Sequence, residues 1–272
     1  MTDIRKLAAL CGAVGIALFA ISATANADGY EVAAPAPVDE GRKFTYSFNI
    51  GATSDYVFRG ISQNDNDPTI QGGIDIGYGI AYAGIWASGI NFDALNNDAD
   101  LEVDWYAGMK PTWGPATFDF AVLYYTYPGS SYFAPSLGGP DLNYVELKAG
   151  VSGNIHKDWL VGGTLYWSPD YFGETGSVWT LEGYTGYTFH QIGVFTPSVT
   201  GLIGYQDGGD TDYSTFNGFD NYVYWNAGLA LAVDKLTFDF RYWDTNASET
   251  AASCINSYCD AKFVFSAKVV LP

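Results

Sequence analysis

From Phe44 onward, apolar and polar residues alternate along segments of about ten residues, and each segment is followed by a turn or a loop. In residues 101–110, for example, the odd positions hold Leu, Val, Trp, Ala and Met, whereas the even positions hold Glu, Asp, Tyr, Gly and Lys. Residues 144–152 and 236–243 repeat this pattern. Because successive side chains of a β-strand point to opposite sides, a period of two predicts strands. We therefore expect an all-β fold.

The connections between these segments alternate between short and long. We expect twelve strands, near 44–59, 68–78, 80–92, 100–110, 116–127, 142–152, 158–168, 178–190, 193–206, 221–233, 235–244 and 261–271. Short turns on one side and long loops on the other are typical of an outer-membrane barrel, whose closure leaves no backbone group unpaired in lipid. An even number of strands also brings both chain ends to the periplasmic side. The pattern predicts a transmembrane antiparallel up-and-down β-barrel of about twelve strands.

The N-terminal region has a different character. Residues 1–27 combine a basic start with an apolar stretch and end in a small-x-small site at Ala27, which is typical of a signal peptide cleaved near that residue. Residues 28–43 are rich in Pro and Ala, and we expect them to form a periplasmic linker. The chain would then cross the inner membrane and reach the cell outer membrane, with the barrel at 44–272.

Composition narrows the range of partners. Loss of residues 1–27 removes Asp3, Arg5 and Lys6, which leaves 29 acidic and 10 basic residues and a net charge of −19. So acidic a protein is a poor match for nucleic acid. Aromatic residues make up 17% of the chain, which is too many for a disordered acidic protein.

The polar face of the predicted strands would line the barrel interior, because a charge that faces lipid at mid-depth is costly. The candidate pore-lining residues are Asp55, Arg59, Asp75, Glu102, Asp104, Lys110, Asp119, Glu146, Lys148, Glu182, Asp239, Arg241, Lys262 and Lys268. Two roles stay open for them: ion pairs that hold the barrel together, or charges that set the selectivity of a pore. Asp55 and Arg59 would share the first strand, about 13 Å apart. Closure of the first strand on the last would bring Lys262 near Asp55.

The predicted long loops carry many acidic residues and no basic ones. The acidic residues are Asp65, Asp67, Asp93, Asp98, Asp100, Asp141, Asp170, Glu174, Asp207, Asp210, Asp212, Asp220, Asp244, Glu249 and Asp260. This charge favours either an electrostatic funnel that concentrates cations or a solubilising surface that divalent cations bridge to lipopolysaccharide. The segment 206–212 has the acidic character of a calcium loop but lacks its full spacing and terminal Glu, so we expect no metal site and no cofactor.

Two cysteines remain after the predicted cleavage. Cys254 and Cys259 lie in a polar stretch with four residues between them. In an oxidising compartment such a pair favours a local disulfide, and two thiolates without a third ligand make a poor zinc site.

One segment carries a family resemblance. Residues 54–63, SDYVFRGISQ, followed by NDP at 66–68 and QG at 71–72, resemble the opening of the TorF-family porins. The stretches GIWASGINFD at 84–93 and LEVDWYAG at 101–108 fit the same pattern. The resemblance covers the whole mature chain and implies a porin of the Gram-negative outer membrane whose substrate is not established. It supplies no catalytic residues.

Catalysis is not expected. An outer-membrane phospholipase needs a histidine at the level of the outer leaflet, whereas His156 and His190 fall in or beside predicted periplasmic turns. The sequence also has no G-x-S-x-G motif.

We expect an outer-membrane channel for passive diffusion of small hydrophilic solutes, with neutral or cationic ones preferred. The alternative is an anchor that displays acidic loops for surface interaction without transport. Aromatic loop residues would either make such surface contacts or fold inward and constrict the pore: Tyr132, Phe133, Tyr213, Phe216 and Phe219. The sequence leaves open whether the barrels form a homo-oligomer.

Overall fold

The computed structural model describes residues 43–92, 99–130, 142–209, 211–247 and 252–272. The predicted signal peptide, residues 1–27, and nearly all of the predicted linker, residues 28–43, lie outside this part. The twelve long strands within the described residues are β1 (Phe44–Thr53), β2 (Thr69–Tyr78), β3 (Ala81–Gly89), β4 (Leu101–Met109), β5 (Ala116–Thr126), β6 (Tyr144–His156), β7 (Trp159–Ser168), β8 (Val178–Thr188), β9 (Thr196–Asp207), β10 (Asn221–Val233), β11 (Leu236–Thr245) and β12 (Lys262–Leu271).

These strands form a closed antiparallel barrel. Each strand pairs with its neighbours in sequence, and β4 pairs directly with β5. The barrel closes where β1 pairs with β12, from Phe48 opposite Leu271 to Thr53 opposite Ser266. The predicted up-and-down barrel of twelve strands is therefore confirmed.

Side-chain burial follows the alternation in the sequence. On β4, Trp105 points outward and is 48% exposed, whereas Glu102 and Asp104 point inward and are almost completely buried. The outer surface carries large apolar side chains on every strand, such as Ile74 on β2 and Leu181 on β8. Polar and charged side chains thus collect inside the barrel, as the period of two predicts.

The two ends of the barrel differ. The chain segments at Phe44 and Leu271 lie at one end, here called the turn end, together with the short connections 79–80, 110–115, 157–158, 189–195 and 234–235. The opposite end carries the long connections and is called the loop end. It includes helix α1 (Thr211–Asn217) and a 3-10 helix (Ala252–Ser257). No helix in the described residues is long and apolar enough to cross a bilayer.

The first strand is shorter than the sequence pattern indicates. It ends at Thr53, and the chain then forms a two-stranded hairpin in which Val57 pairs with Ser62 and Phe58 with Ile61. Arg59 and Gly60 make the turn, both with positive φ, at 49° and 83°. We call residues 55–62 the inner hairpin, because its side chains are buried among inward-facing residues of the barrel wall. The prediction of a strand over 44–59 was wrong beyond residue 53.

The inner hairpin separates two apolar clusters inside the barrel. Tyr56 and Phe58 belong to a cluster with inward residues of β3 to β6, including Trp86 and Tyr125. Val57 packs in a second cluster on β9 to β12, and Ile61 packs against it. Alternate residues of the hairpin therefore contact opposite walls. Successive residues of 54–59 therefore do point to opposite sides, but both sides contact the barrel wall and neither faces lipid.

Candidate functional site: the closed layer inside the barrel

The inner hairpin and the inward-facing residues that surround it form a layer across the barrel, which we call the closed layer. Arg59 lies at the centre of this layer. Its guanidinium donates two hydrogen bonds to the Glu146 carboxylate, Nη1 to Oε1 at 2.8 Å and Nη2 to Oε2 at 2.9 Å. Nη1 also donates to Oε1 of Gln206 at 3.1 Å. The side chains of Arg59 and Glu146 are 2% and 1% exposed. A forked guanidinium matches a carboxylate in this two-bond geometry, which gives both strength and orientation.

Aromatic rings complete the surroundings of the guanidinium. The Cζ atom of Arg59 lies 4.6 Å from the ring centre of Phe58 and 4.9 Å from that of Tyr166 on β7. Both distances are within the range of cation–π attraction, which is stronger where water is excluded. The hydroxyl of Tyr125 donates to Oε2 of Glu146 at 3.1 Å.

Further contacts hold the inner hairpin to other strands. The hydroxyl of Tyr56 donates to Oε1 of Glu102 on β4 at 2.8 Å. Nζ of Lys262 on β12 lies 3.4 Å from Oδ2 of Asp55, and the Ser62 hydroxyl donates to Oδ1 of Asp55 at 2.7 Å. Burial raises the pKa of the Asp55 carboxyl, although the Ser62 hydroxyl and the Lys262 charge oppose that shift.

Carboxyl groups outnumber Arg59 in this layer. Glu102, Asp104, Glu146 and Glu182 are all at most 3% exposed. The Tyr224 hydroxyl donates to Oε1 of Glu182 at 2.6 Å. Oδ1 of Asp104 and Oε2 of Glu182 have no hydrogen-bond partner within the described part of the chain. The layer therefore contains acceptor oxygens to which no described donor binds.

The half of the interior nearer the turn end is organised differently. Asp119 lies 2.9 Å from Nζ of Lys148 and 3.9 Å from Nζ of Lys110. On β11, Arg241 pairs with Asp239 at 2.9 Å. These charges are more exposed than those of the closed layer, and Asp119 and Asp239 each have a basic partner on the barrel wall.

The structure places the sequence candidates in two ways. Eleven candidates lie on strands and have the inward parity, and Lys110 directly follows β4: Asp75, Glu102, Asp104, Asp119, Glu146, Lys148, Glu182, Asp239, Arg241, Lys262 and Lys268 are the eleven. Asp55 and Arg59 belong to the inner hairpin, so the expected 13 Å spacing on one strand was wrong. The predicted approach of Lys262 to Asp55 is confirmed.

Sequence reasoning missed the uncharged members of the site. Tyr56, Tyr125, Tyr166 and Gln206 were not among the candidates, since tyrosine occurs on both faces of these strands. Tyr125, Tyr166 and Gln206 share the parity of the inward residues on their strands, and that signal could have found them.

The loop end is acidic, and the three predicted loop aromatics within the described residues turn inward. Tyr213 is buried, Phe219 packs against both apolar clusters, and Phe216 stacks edge-on to Phe172 at 5.8 Å. The predicted disulfide between Cys254 and Cys259 is confirmed. The remaining loop candidates lie outside the described residues: Asp93, Asp98, Tyr132, Phe133, Asp141, Asp210 and Glu249.

The described residues define a class of protein, a closed antiparallel β-barrel of the porin type with a filled layer inside. The solved KdgM porin is similar, with a TM-score of 0.51 and 9% identity over 82% of this chain and 98% of that chain. The solved NanC porin gives a TM-score of 0.50 and 12% identity over 83% of this chain and 98% of that chain. At these identities the likeness establishes the fold alone.

The chain belongs to the Gcw_chp family, described as bacterial proteins of unknown function, whose model matches residues 39–270. No curated protein sequence matches the chain.

Proposed function

We propose that this protein is a channel of the outer membrane, exported by its signal peptide, that lets small hydrophilic solutes diffuse passively. The apolar outer surface supports the membrane location. Large apolar side chains such as Ile74, Leu181 and Phe240 are about half exposed on strands all around the barrel. Soluble monomers rarely expose continuous apolar patches above a few hundred Å², so this surface requires lipid. The resemblance to TorF-family porins points the same way.

The observation that carries the channel proposal is how the interior is closed. The inner hairpin, which belongs to the first long connection, fills the closed layer. A barrel with a purely structural interior would need only the side chains of its own wall to fill this space. Hydrogen bonds, ion pairs and packing hold this hairpin, so it can withdraw without breaking a strand of the barrel. We therefore assign the described conformation to a closed state of the channel.

The charges of the layer support a preference for neutral or cationic solutes. Buried carboxyls exceed the single guanidinium of Arg59 within the described layer, and the long loops above it are acidic. A cation that passes the withdrawn hairpin would meet carboxylates in a low-dielectric surrounding, which favours positive charge. No reaction is proposed.

Planar-bilayer recording of the refolded full chain tests this function. We expect replacement of residues 55–62 by a Gly/Ser linker to raise the conductance above that of the native chain. Gly/Ser replacement of the exposed residues 191–193 in a turn-end connection is the control, and it should leave the conductance near the native value. Reversal potentials in a KCl gradient should show cation preference. An anion preference would reject the role assigned to the carboxyls.

The second candidate is an anchor that displays acidic loops without transport, in contact with outer-membrane lipid and lipopolysaccharide. The dense aromatic packing of the closed layer favours it, because Tyr56, Phe58 and Tyr125 leave almost no accessible surface there. If barrels without the inner hairpin fold, shown by a heat-dependent gel mobility, and still do not conduct, the anchor replaces the channel.

A further inference from the structure

Arg59 occupies a site that the barrel wall builds from three strands. Glu146 on β6 provides the two-bond carboxylate, Gln206 on β9 provides an amide oxygen at 3.1 Å, and Tyr166 on β7 provides an aromatic face. Planar acceptors beside an aromatic ring are the surroundings that a guanidinium group prefers. Arg59 itself comes from the hairpin and is no part of this wall.

Wall and loop residues other than Arg59 hold the acceptors in place. The Tyr125 hydroxyl donates to Oε2 of Glu146 at 3.1 Å. The Thr180 hydroxyl donates to Oε1 of Gln206 at 3.1 Å, and Nε2 of Gln206 donates to the Tyr213 hydroxyl at 2.9 Å. These contacts orient the amide with its oxygen toward the guanidinium. The receptor is therefore preorganised, which lowers the cost of binding a free ligand.

The same layer has an excess of acceptors. Oδ1 of Asp104 and Oε2 of Glu182 lack hydrogen-bond partners within the described residues, and both side chains are almost completely buried. A buried carboxylate without a cation is costly. If the hairpin withdrew, Glu146 would also lose its hydrogen-bonded partner Arg59. The layer would then favour a replacement cation more strongly.

We propose that Glu146, Gln206 and Tyr166 form a binding site for guanidinium-bearing solutes, and that Arg59 is its tethered occupant. A solute that carries a guanidinium competes with Arg59 and keeps the hairpin withdrawn. This regulatory part rests on the proposed channel function, whereas the binding site itself does not. A primary ammonium binds more weakly, because it lacks the planar fork. The tether gives Arg59 an effective concentration in the millimolar range or above, so a free solute binds far better when Arg59 is removed.

The test measures binding, independently of conductance. Arg59→Ala, refolded as the full chain in detergent, is titrated with methylguanidinium chloride, and the midpoint of the heat-induced change in gel mobility is recorded. We expect the midpoint to rise by about 2–4 °C at roughly five times the dissociation constant. Equal concentrations of sodium chloride or methylammonium chloride should give a smaller rise. The native chain should show little response, and Arg59→Ala/Glu146→Gln should show none beyond that of salt.

Equal shifts in the native chain and Arg59→Ala would overturn the proposal, as would a full shift in the double variant. If Arg59→Ala does not refold alone, refolding is repeated with methylguanidinium or methylammonium in the buffer. Recovery with methylguanidinium alone supports the site, and equal recovery with either salt, or none, rejects it. A shift without any conductance in bilayers would keep the site and reject the channel. Conductance without the shift would keep the channel and reject the binding site.

Discussion

Replacement of Glu146 by glutamine tests the contact at the centre of the closed layer. The side chain keeps its size and one acceptor oxygen but loses the charge that pairs with Arg59. Removal of one partner of a buried ion pair costs about 3–5 kcal/mol, because the other charge stays buried without compensation. Gln206 and the Tyr166 ring still contact the guanidinium, so we expect the lower end, about 3 kcal/mol. That loss shifts the equilibrium between seated and withdrawn hairpin by about 150-fold.

The assay is the open probability of single channels in planar bilayers. For Glu146→Gln we expect frequent, long openings where the native chain shows rare ones. Asp239→Asn is the matched control, since it breaks an interior ion pair that lies within β11 and does not reach the inner hairpin. Both variants should retain the heat-dependent gel mobility of a folded barrel. An open probability for Glu146→Gln equal to that of Asp239→Asn would refute the reasoning, because the ion pair would then not hold the hairpin.

Three further sets of variants test the remaining supports of the closed layer by chemical denaturation in lipid vesicles. Charge swaps Asp55→Lys and Lys262→Asp should each lower the free energy of unfolding by about 2 kcal/mol or more, and the double swap should recover at least half; no recovery would argue against the pairing. Gly60→Ala should cost about 2–4 kcal/mol, since the residue has a φ of +83° and its new Cβ would lie 2.8 Å from a neighbouring Cβ; an unchanged stability would show that the turn relaxes. Replacement of both Cys254 and Cys259 by serine should cost about 2 kcal/mol from the lost loop constraint, and the native chain treated with reductant should match it.

The sequence predicted the barrel wall well because lipid and the interior impose opposite demands on alternate residues. The faces of β4 and β6 follow the expected parity, and β10 has the expected bounds, Asn221–Val233. The ends of other strands differ by a few residues, since the alternation continues weakly into the connections. The sorting of short turns and long loops also predicted the number of strands.

The inner hairpin could not be predicted from alternation alone. Residues 54–59 alternate like a strand that faces lipid, but Tyr56 and Val57 contact opposite walls of the interior. The local signal was the pair Arg59-Gly60 between the apolar residues Phe58 and Ile61, because a two-residue hairpin turn favours glycine at its second position. The partners of Arg59 come from strands far along the chain, and no local pattern indicates which strands these are.

The distances along the sequence between the inner hairpin and its partners bear on the order of assembly. Arg59 is 87 residues from Glu146 and 147 from Gln206, and Asp55 is 207 residues from Lys262. Contacts across such separations form late, because the intervening chain must first be ordered. The hairpin is synthesised early but gains its last partner only when β12 meets β1. The Asp55–Lys262 contact therefore marks a barrel that has finished closing, whereas an unfinished barrel lacks this contact at the base of the hairpin.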